Sequence, residues 1–159
     1  MAAIGTAEMI HAANRGEKFT TIFVNNAIYG MTGGQMAPTT LLGQKSKTCP
    51  NGRDADEAGM GYPIHVSELL KTLEGTRYIA RGAVNNAVNI RKTRQYIKKA
   101  FEAQLAGIGF TMVEILSTCP TNWGLDTVES VEWLEKNMIP VFPLGEIKNT
   151  LDAEKAAAV

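Results

Sequence analysis

The chain has 159 residues, which fits one ordinary domain with a buried core. Hydrophobic residues make up 45% and charged residues 20%, the composition of a soluble globular protein. Lys plus Arg equals Asp plus Glu at 16 each, so charge gives no case for binding nucleic acid or an anionic membrane surface.

Three further features narrow the class of protein. No apolar run approaches the roughly 18 residues needed to cross a bilayer, and the first residues, "MAAIGTAEMIHAANRG", lack the basic and apolar regions of a secretory signal. Two cysteines, Cys49 and Cys119, are too few for a disulfide scaffold. We therefore expect a reduced, cytoplasmic setting.

Helical and strand patterns alternate along the chain. Helices are predicted where apolar residues recur at helical spacing between caps and glycine stops, and strands where short β-branched and aromatic runs occur. In chain order, the predicted elements are a helix over 2–15, a strand over 19–24, a helix over 67–75, a strand over 77–83, a helix over 89–106, a strand over 110–117 and a helix over 127–138. This alternation predicts an α/β fold with a parallel sheet flanked by helices. One domain should span residues 1–149, with a frayed tail over 150–159.

The segment between residues 30 and 61 is a long loop. It holds seven glycines and two prolines and shows little periodicity. Loops above about 15 residues are uncommon inside compact domains. We expect this one to be functional rather than a linker.

Two predicted strands end in unusual polar residues, at 25–32 and 119–124. In parallel sheets, ligands bind beyond the carboxyl ends of the strands. Asparagine amide oxygens at the first end suit a hard cation such as Mg²⁺, which is often bound together with phosphates. Glycines at positions 30, 33 and 34 allow close approach of backbone N–H groups to an anion, and Thr32 adds a hydroxyl. These residues suit a magnesium–diphosphate group.

The residues also admit a plainer interpretation. A strand can end in an asparagine turn whose glycines are chosen for positive φ. No GxGxxG or GxxxxGK[ST] fingerprint is present. The residue types alone leave both interpretations open.

Two strings resemble a known family. "VNNAIYGMTGGQMAPTT" (24–40) resembles the second half of the thiamine-diphosphate motif in β subunits of 2-oxoacid:ferredoxin oxidoreductases, and "EILSTCPTNWG" (114–124) resembles a second hallmark of those subunits. The resemblance spans residues 2–148 and is greatest for the 2-oxoglutarate and 2-oxoisovalerate members. It implies an α/β thiamine-diphosphate-binding domain, oxidative decarboxylation of a 2-oxoacid to an acyl-CoA, and transfer of electrons to ferredoxin.

The resemblance also implies roles for individual residues. Asn26 would give a side-chain oxygen to Mg²⁺ and Ile28 its backbone carbonyl, while Thr32 would hydrogen-bond the diphosphate. The wall around the cofactor would be shaped by Asn25, Tyr29, Gly30 and Met31. No residue is assigned to general acid–base catalysis.

One departure from the family affects the metal. The family motif opens with Gly-Asp-Gly, usually followed by a further aspartate, and this part would fall just before Met1. The resemblance therefore implies a chain truncated at its N-terminus, without the first motif strand. Mg²⁺ held by an amide and a carbonyl alone should bind weakly. An uncovered sheet edge should also favour pairing with another chain, so we expect a homo-oligomer or coverage by another segment.

The resemblance also makes Cys119 a candidate ligand of a [4Fe–4S] cluster. In related oxidoreductases, a cysteine near this position can complete such a site together with cysteines from the segment that precedes this domain. No matching role is found for Cys49, and isolated cysteines are commonly buried and inert. A cluster is therefore expected only in a full complex.

The working hypothesis is an enzyme subunit, inactive when alone. It would act with α, γ and ferredoxin-like subunits, with ferredoxin, and with coenzyme A and a 2-oxoacid as substrates. The alternative is a non-catalytic assembly module derived from the same domain. The absent aspartate favours the module, and the intact string from 25 to 40 favours the working site.

Overall fold

A computed structural model of the chain describes residues 2–56 and 59–151. The helices are α1 (Thr6–Arg15), α2 (Val66–Lys71), α3 (Ala87–Leu105), α4 (Pro120–Trp123), α5 (Thr127–Trp133) and α6 (Ile139–Val141), with a π-helical turn over Leu134–Met138 joining the last two. The strands are β1 (Thr20–Asn25), β2 (Thr76–Ala83), β3 (Phe110–Leu116) and β4 (Gly145–Asn149).

The strands form one sheet in the order β1-β3-β2-β4. The first three are mutually parallel, and β4 pairs with β2 in the antiparallel sense. The predicted α/β fold with a parallel, helix-flanked sheet is confirmed. The sequence did not predict the antiparallel strand β4, because "GEIKN" carries only one strongly apolar residue, Ile147, and its pairing depends on β2.

Helix boundaries differ from the predicted ones for local reasons. The first helix begins at Thr6 rather than residue 2, because Gly5 adopts a left-handed conformation with φ of 88°. Asp126 caps α5, accepting hydrogen bonds from the N–H groups of Val128 and Glu129. The helical path continues to Met138, but through a π turn.

The core lies on both faces of the sheet. All seven residues of β3 are buried, as expected for a central strand covered by helices on each side. Aliphatic and aromatic residues of β2, β3 and the helices form three contiguous clusters. Leu151 is buried in one of them, and Thr150 donates its N–H to the Arg77 carbonyl. The rest of the predicted tail, 152–159, lies outside the described residues.

Strand register brings the carboxyl ends of three strands together. In the parallel ladders, Asn25 of β1 and Ala83 of β2 both pair with Leu116 of β3. The loops that follow β1 and β3 therefore leave the sheet at the same edge.

The opposite side of β1 has no strand partner among residues 2–56 and 59–151. Ile22 and Val24 of this strand are exposed. In the described part of the chain, no helix combines the length and apolarity required to cross a membrane.

Candidate cofactor site at the carboxyl ends of the strands

The loop that follows β1, residues 26–35, is called the site loop here. It begins with a turn at Ala27, whose φ of 55° makes it the one non-glycine residue of the described chain with positive φ. Asn25 stabilises this turn, because its Oδ1 accepts the Ala27 N–H at 3.0 Å and the Thr39 hydroxyl at 2.8 Å. The Thr40 hydroxyl donates to the Ala27 carbonyl at 2.7 Å. The turn is therefore fixed by side chains on both of its sides.

Asn25 itself lies beneath the loop. Its side chain is 2% exposed, and its Nδ2 donates to Glu114 at 2.7 Å. Both ends of its amide are thus used inside the protein. Asn25 supports the loop from below and also lines the small cavity beside it, and its place in a cofactor wall stays a prediction.

Two oxygen acceptors on the site loop are unpartnered. Within residues 2–56 and 59–151, neither the Asn26 side chain nor the Ile28 carbonyl takes part in a hydrogen bond. The Asn26 backbone carbonyl is occupied, since it accepts the Trp123 indole N–H at 3.2 Å. Amide and carbonyl oxygens are suitable Mg²⁺ ligands. The predicted pair of metal ligands is therefore available on adjacent parts of one turn.

The next segment forms a tight turn that leaves backbone donors free. The Gly33 N–H donates to the Gly30 carbonyl, and the Gly34 N–H to the Tyr29 carbonyl. The backbone N–H groups of Gly30, Met31 and Thr32 have no acceptor in the described structure. Successive free N–H groups are the kind of donor that anions such as phosphates use.

The side chains of this turn differ in availability. Met31 is fully exposed and Tyr29 is exposed. The Thr32 hydroxyl donates to Gln35 Oε1 at 2.6 Å, so it is engaged within the loop. The Thr32 hydroxyl would have to break its bond to Gln35 before it could donate a hydrogen bond to a diphosphate.

The loop that follows β3 contains α4 and lies directly against the site loop. The Asn122 amide donates to the Gly30 carbonyl at 3.3 Å and to Cys119 Sγ at 3.3 Å. Trp123 reaches the Asn26 carbonyl and packs on Trp133, with ring centroids 4.4 Å apart. The two polar strand ends that the sequence singled out therefore form one site.

Gly30 lies at a close approach of the two loops. A Cβ added at Gly30 would lie 2.9 Å from Cys119 Sγ and 3.2 Å from Asn122 Nδ2. Gly30→Ala should therefore lower the free energy of unfolding by about 1–3 kcal/mol through overpacking. Cys119→Ala in the same chain removes the sulfur and should recover at least half of that loss, measured by denaturant unfolding. A Gly30→Ala protein as stable as the wild type would contradict this contact.

Cys119 is half-buried, and Cys49 is buried in the long loop, where its thiol lies 3.6 Å from the Gln44 carbonyl. No group of three or more His, Cys, Asp and Glu residues in the described ranges could hold a metal ion. The cluster ligand role of Cys119 therefore stays a prediction.

Arg53 holds the long loop together. Its side chain is only 5% exposed, and this burial lowers the pKa of its guanidinium. The guanidinium donates to six backbone carbonyls, those of Ala37, Pro38, Thr40, Met60, Gly61 and Tyr62. This set of hydrogen bonds is called the Arg53 clamp here. Because the Thr40 hydroxyl also donates to the Ala27 carbonyl, the clamp is connected to the site loop.

A buried polar network lies under the site. Glu114 of β3 accepts from Asn25, from the Ser67 hydroxyl at 2.5 Å and from Arg81 Nε at 2.8 Å. Arg81 of β2 also forms a bidentate pair with Glu68 at 2.9 and 2.6 Å. The sequence did not predict this network. One signal was present, since the buried strand β3 carries a single charge, Glu114, and β2 carries arginines of opposite sign, one of which, Arg81, is paired with it in register.

The buried network lowers the pKa of Glu68, its most exposed residue. Burial raises the pKa of Glu68, but the hydrogen bond and charge of Arg81 outweigh burial, so the pKa lies below its ordinary value of 4.5. Burial likewise lowers the pKa of Arg81, and its bonds to Glu68 and Glu114 outweigh that effect, so the pKa is raised. Both side chains are therefore ionised near neutral pH.

The depressed pKa of Glu68 predicts a dependence of stability on pH. The ionised carboxylate stabilises the fold above its unfolded-state pKa, and this contribution is lost as the pH falls through the lower folded-state pKa. Glu68→Gln should therefore destabilise the protein at pH 7 and have a shrinking effect below about pH 4.5. Denaturant unfolding across pH 3–7 checks this. In an Arg81→Met background the pH dependence due to Glu68 should be much smaller, and an unchanged dependence there would refute the assignment.

Two cavities border the site loop. One, of about 370 Å³, is lined by Gly33 and Gly34, and the one lined by Asn26 and Ile28 is small. The small cavity has a volume of about 110 Å³ and is lined by Ala2, Phe23, Val24, Asn26, Ile28 and Tyr29, among others. Ligand pockets usually measure about 300–1,000 Å³. The described residues therefore supply part of the wall that a cofactor of drug-like size would need.

Comparison with known proteins defines the class. Residues 1–115 match the family described as thiamine pyrophosphate enzyme, C-terminal TPP binding domain. Because this match covers more than half of the chain, the chain belongs to that family. The predicted resemblance to a thiamine-diphosphate-binding domain is confirmed.

Its relatives come from one group of oxidoreductases. The chain is 48% identical over 149 residues to the ketoisovalerate oxidoreductase subunit VorA of Methanothermobacter thermautotrophicus, covering 94% of this chain and 31% of that protein. It is 33% identical over 135 residues to the 2-oxoglutarate synthase subunit KorB of Archaeoglobus fulgidus, covering 85% of this chain and 45% of the relative. The predicted similarity to 2-oxoisovalerate and 2-oxoglutarate members is confirmed. The chain spans less than half the length of these relatives.

A solved structure has the same fold. It is a 2-oxoglutarate:ferredoxin oxidoreductase from Magnetococcus marinus with 2-oxoglutarate, coenzyme A and succinyl-CoA bound. The TM-score is 0.71 at 24% identity, and the match covers 98% of this chain and 57% of that one. At this identity the likeness establishes the fold.

Proposed function

We propose that this chain is the thiamine-diphosphate-binding domain of a 2-oxoacid:ferredoxin oxidoreductase subunit, with the site loop as its magnesium and diphosphate contact. One observation carries the proposal. Within residues 2–56 and 59–151, the Asn26 side chain and the Ile28 carbonyl have no partner, and the N–H groups of Gly30, Met31 and Thr32 in the same loop are also unpaired. Cation ligands and anion donors thus occur together on one turn, as a magnesium–diphosphate group requires.

The roles of these residues are binding and orientation. Asn26 and Ile28 would give oxygens to Mg²⁺, the N–H groups of the turn would contact the diphosphate, and Tyr29 and Met31 would line the exposed side. When bound, thiamine diphosphate supplies the carbanion stabilisation needed to decarboxylate a 2-oxoacid. No described residue is assigned an acid–base role.

Other components complete the proposed enzyme. Among the residues that the structure describes, no carboxylate lines the small cavity, so further Mg²⁺ ligands and cofactor wall would come from other segments or subunits. The same holds for a [4Fe–4S] cluster at Cys119. We propose residues 1–149 as the cofactor domain of a cytoplasmic assembly with α, γ and ferredoxin-like subunits, passing electrons to ferredoxin and acyl groups to coenzyme A. The unpaired side of β1 would be covered by another segment or a second copy.

The small cavity also supports a second candidate function. A volume of about 110 Å³ with no carboxylate among its described lining residues suits a domain kept for assembly rather than for cofactor binding. The two functions differ in whether the chain binds the cofactor.

Isothermal titration of the purified chain with thiamine diphosphate and Mg²⁺ separates the two functions. The proposal predicts saturable, Mg²⁺-dependent binding tighter than about 1 mM, and Asn26→Ala should weaken it at least about tenfold. The exposed Asn14→Ala is the matched control and should bind like the wild type. No heat at millimolar ligand would favour the assembly module.

A further inference from the structure

Asn25 connects the site loop to the interior of the sheet, and the orientation of its amide matters. Its Oδ1 accepts from the Ala27 N–H and the Thr39 hydroxyl, while its Nδ2 donates to Glu114 Oε1. A flipped amide would place its NH₂ group against the Ala27 N–H, leaving two donors facing each other. The turn therefore requires the oxygen of Asn25 to point toward the loop.

Glu114 sets this orientation from the other side. An ionised carboxylate only accepts hydrogen bonds, so it selects the NH₂ end of Asn25. Glu114 is 1% exposed, and its second oxygen is fixed by Ser67 and Arg81. Burying a charge in this way is costly unless every partner is in place. Here the partners include the residue that forms the turn.

We propose that Glu114 is a positioning residue of the cofactor site, acting through Asn25. It orients the Asn25 amide, the amide holds Ala27 at φ 55°, and this turn aims the side chain of Asn26 and the carbonyl of Ile28. Glu114 touches no ligand itself in this arrangement. The inference rests on the proposed function, since it gives a reason for the geometry of the same site.

The hydrogen bond between positions 25 and 114 can be reversed, which gives a sharp test. In Glu114→Gln, an amide oxygen can still face Ser67 and Arg81, but an NH₂ group then faces the NH₂ of Asn25. In Asn25→Asp, two carboxylates oppose each other. In the double variant, the carboxylate at 25 accepts from the amide at 114 and still accepts from Ala27 and Thr39, while Arg81 keeps its pair with Glu68.

Binding of Mg²⁺–thiamine diphosphate by calorimetry is the first readout. Each single variant should weaken affinity about tenfold, consistent with the loss of one buried hydrogen bond. The double variant should return to within about threefold of the wild type. Thr111→Ala is the control, because it removes a buried hydroxyl at the amino end of β3 that bonds Thr20 and the Ala100 carbonyl and touches neither Glu114 nor Asn25. It should lower the unfolding midpoint and leave affinity unchanged.

The amide resonances of residues 26–28 are a second readout, and they need no cofactor. They should shift in both single variants, return in the double variant and stay in place in Thr111→Ala. If the wild type binds no cofactor, the proposed function fails, and these resonances still decide the positioning role. If one single variant does not fold, the other breaks the same bond. A double variant nearer to the weaker single variant than to the wild type, or single variants equal to the wild type, would overturn the proposal.

Discussion

Replacing Arg81 with methionine should lower the free energy of unfolding by about 3–5 kcal/mol. Arg81 is fully buried and is the cation between Glu114 and Glu68. Methionine fills much of the same volume, so packing changes little. It leaves the Glu114 carboxylate in the interior with two neutral donors and no opposite charge.

The loss can be measured by urea unfolding at pH 7, with the exposed Arg91→Met on α3 as a matched control. The control should stay within about 0.5 kcal/mol of the wild type. Arg81 also lies over the Phe142 ring at 5.5 Å and donates to the Pro143 carbonyl at 3.1 Å. The variant should therefore also loosen the segment before β4. A loss below about 1 kcal/mol would show that Glu114 needs no cation.

Arg53→Met should destabilise the protein by about 2–4 kcal/mol, because it leaves buried carbonyls without their charged donor. The guanidinium bonds carbonyls on two arms of the long loop, including Thr40 at 2.6 Å and Tyr62 at 2.7 Å. Without it, the loop loses the contacts that hold its arms together. Limited proteolysis between residues 37 and 62 should become faster.

Arg53→Lys is the matched comparison for this clamp. A lysine keeps the charge but has one nitrogen instead of three, so it cannot bond both arms at once. It should lie between the wild type and Arg53→Met in unfolding free energy and in the rate of proteolysis. A lysine variant equal to the wild type would mean that charge alone matters.

The sequence predicted the features of this fold that depend on local pattern. Short β-branched runs identified β1, β2 and β3, and glycine stops and caps identified the helices between them. The polar ends of β1 and β3 were singled out because ligands bind beyond the carboxyl ends of parallel strands. That the two ends meet came from the structure, in which the Trp123 indole N–H donates to the Asn26 carbonyl. β4 was missed because its pairing, rather than its residues, makes it a strand.

The residues that hold the site loop in place could not be predicted from local sequence patterns. Arg53 sits in a stretch of glycine and acidic residues that is typical of an exposed loop, and its partners are 7 to 16 residues away along the chain. Glu114 and Asn25 are 89 residues apart. Such contacts depend on sheet order and register, which periodicity does not specify. Asn25 and Asn26 also look equivalent in sequence, but the turn at Ala27 directs one inward and leaves the other free.

The central claim is that the site loop holds the metal and the diphosphate, and paramagnetic broadening by Mn²⁺ tests it most directly. Mn²⁺ takes the same oxygen ligands as Mg²⁺ and broadens nearby amide resonances of the isotope-labelled chain. The titration contains thiamine diphosphate and less Mn²⁺ than protein. Under these conditions we expect the strongest broadening at residues 26–32, and we expect this broadening to disappear in Asn26→Ala. Broadening centred elsewhere, for instance at Asp54 and Asp56, or no cofactor-dependent broadening at all, would contradict the claim.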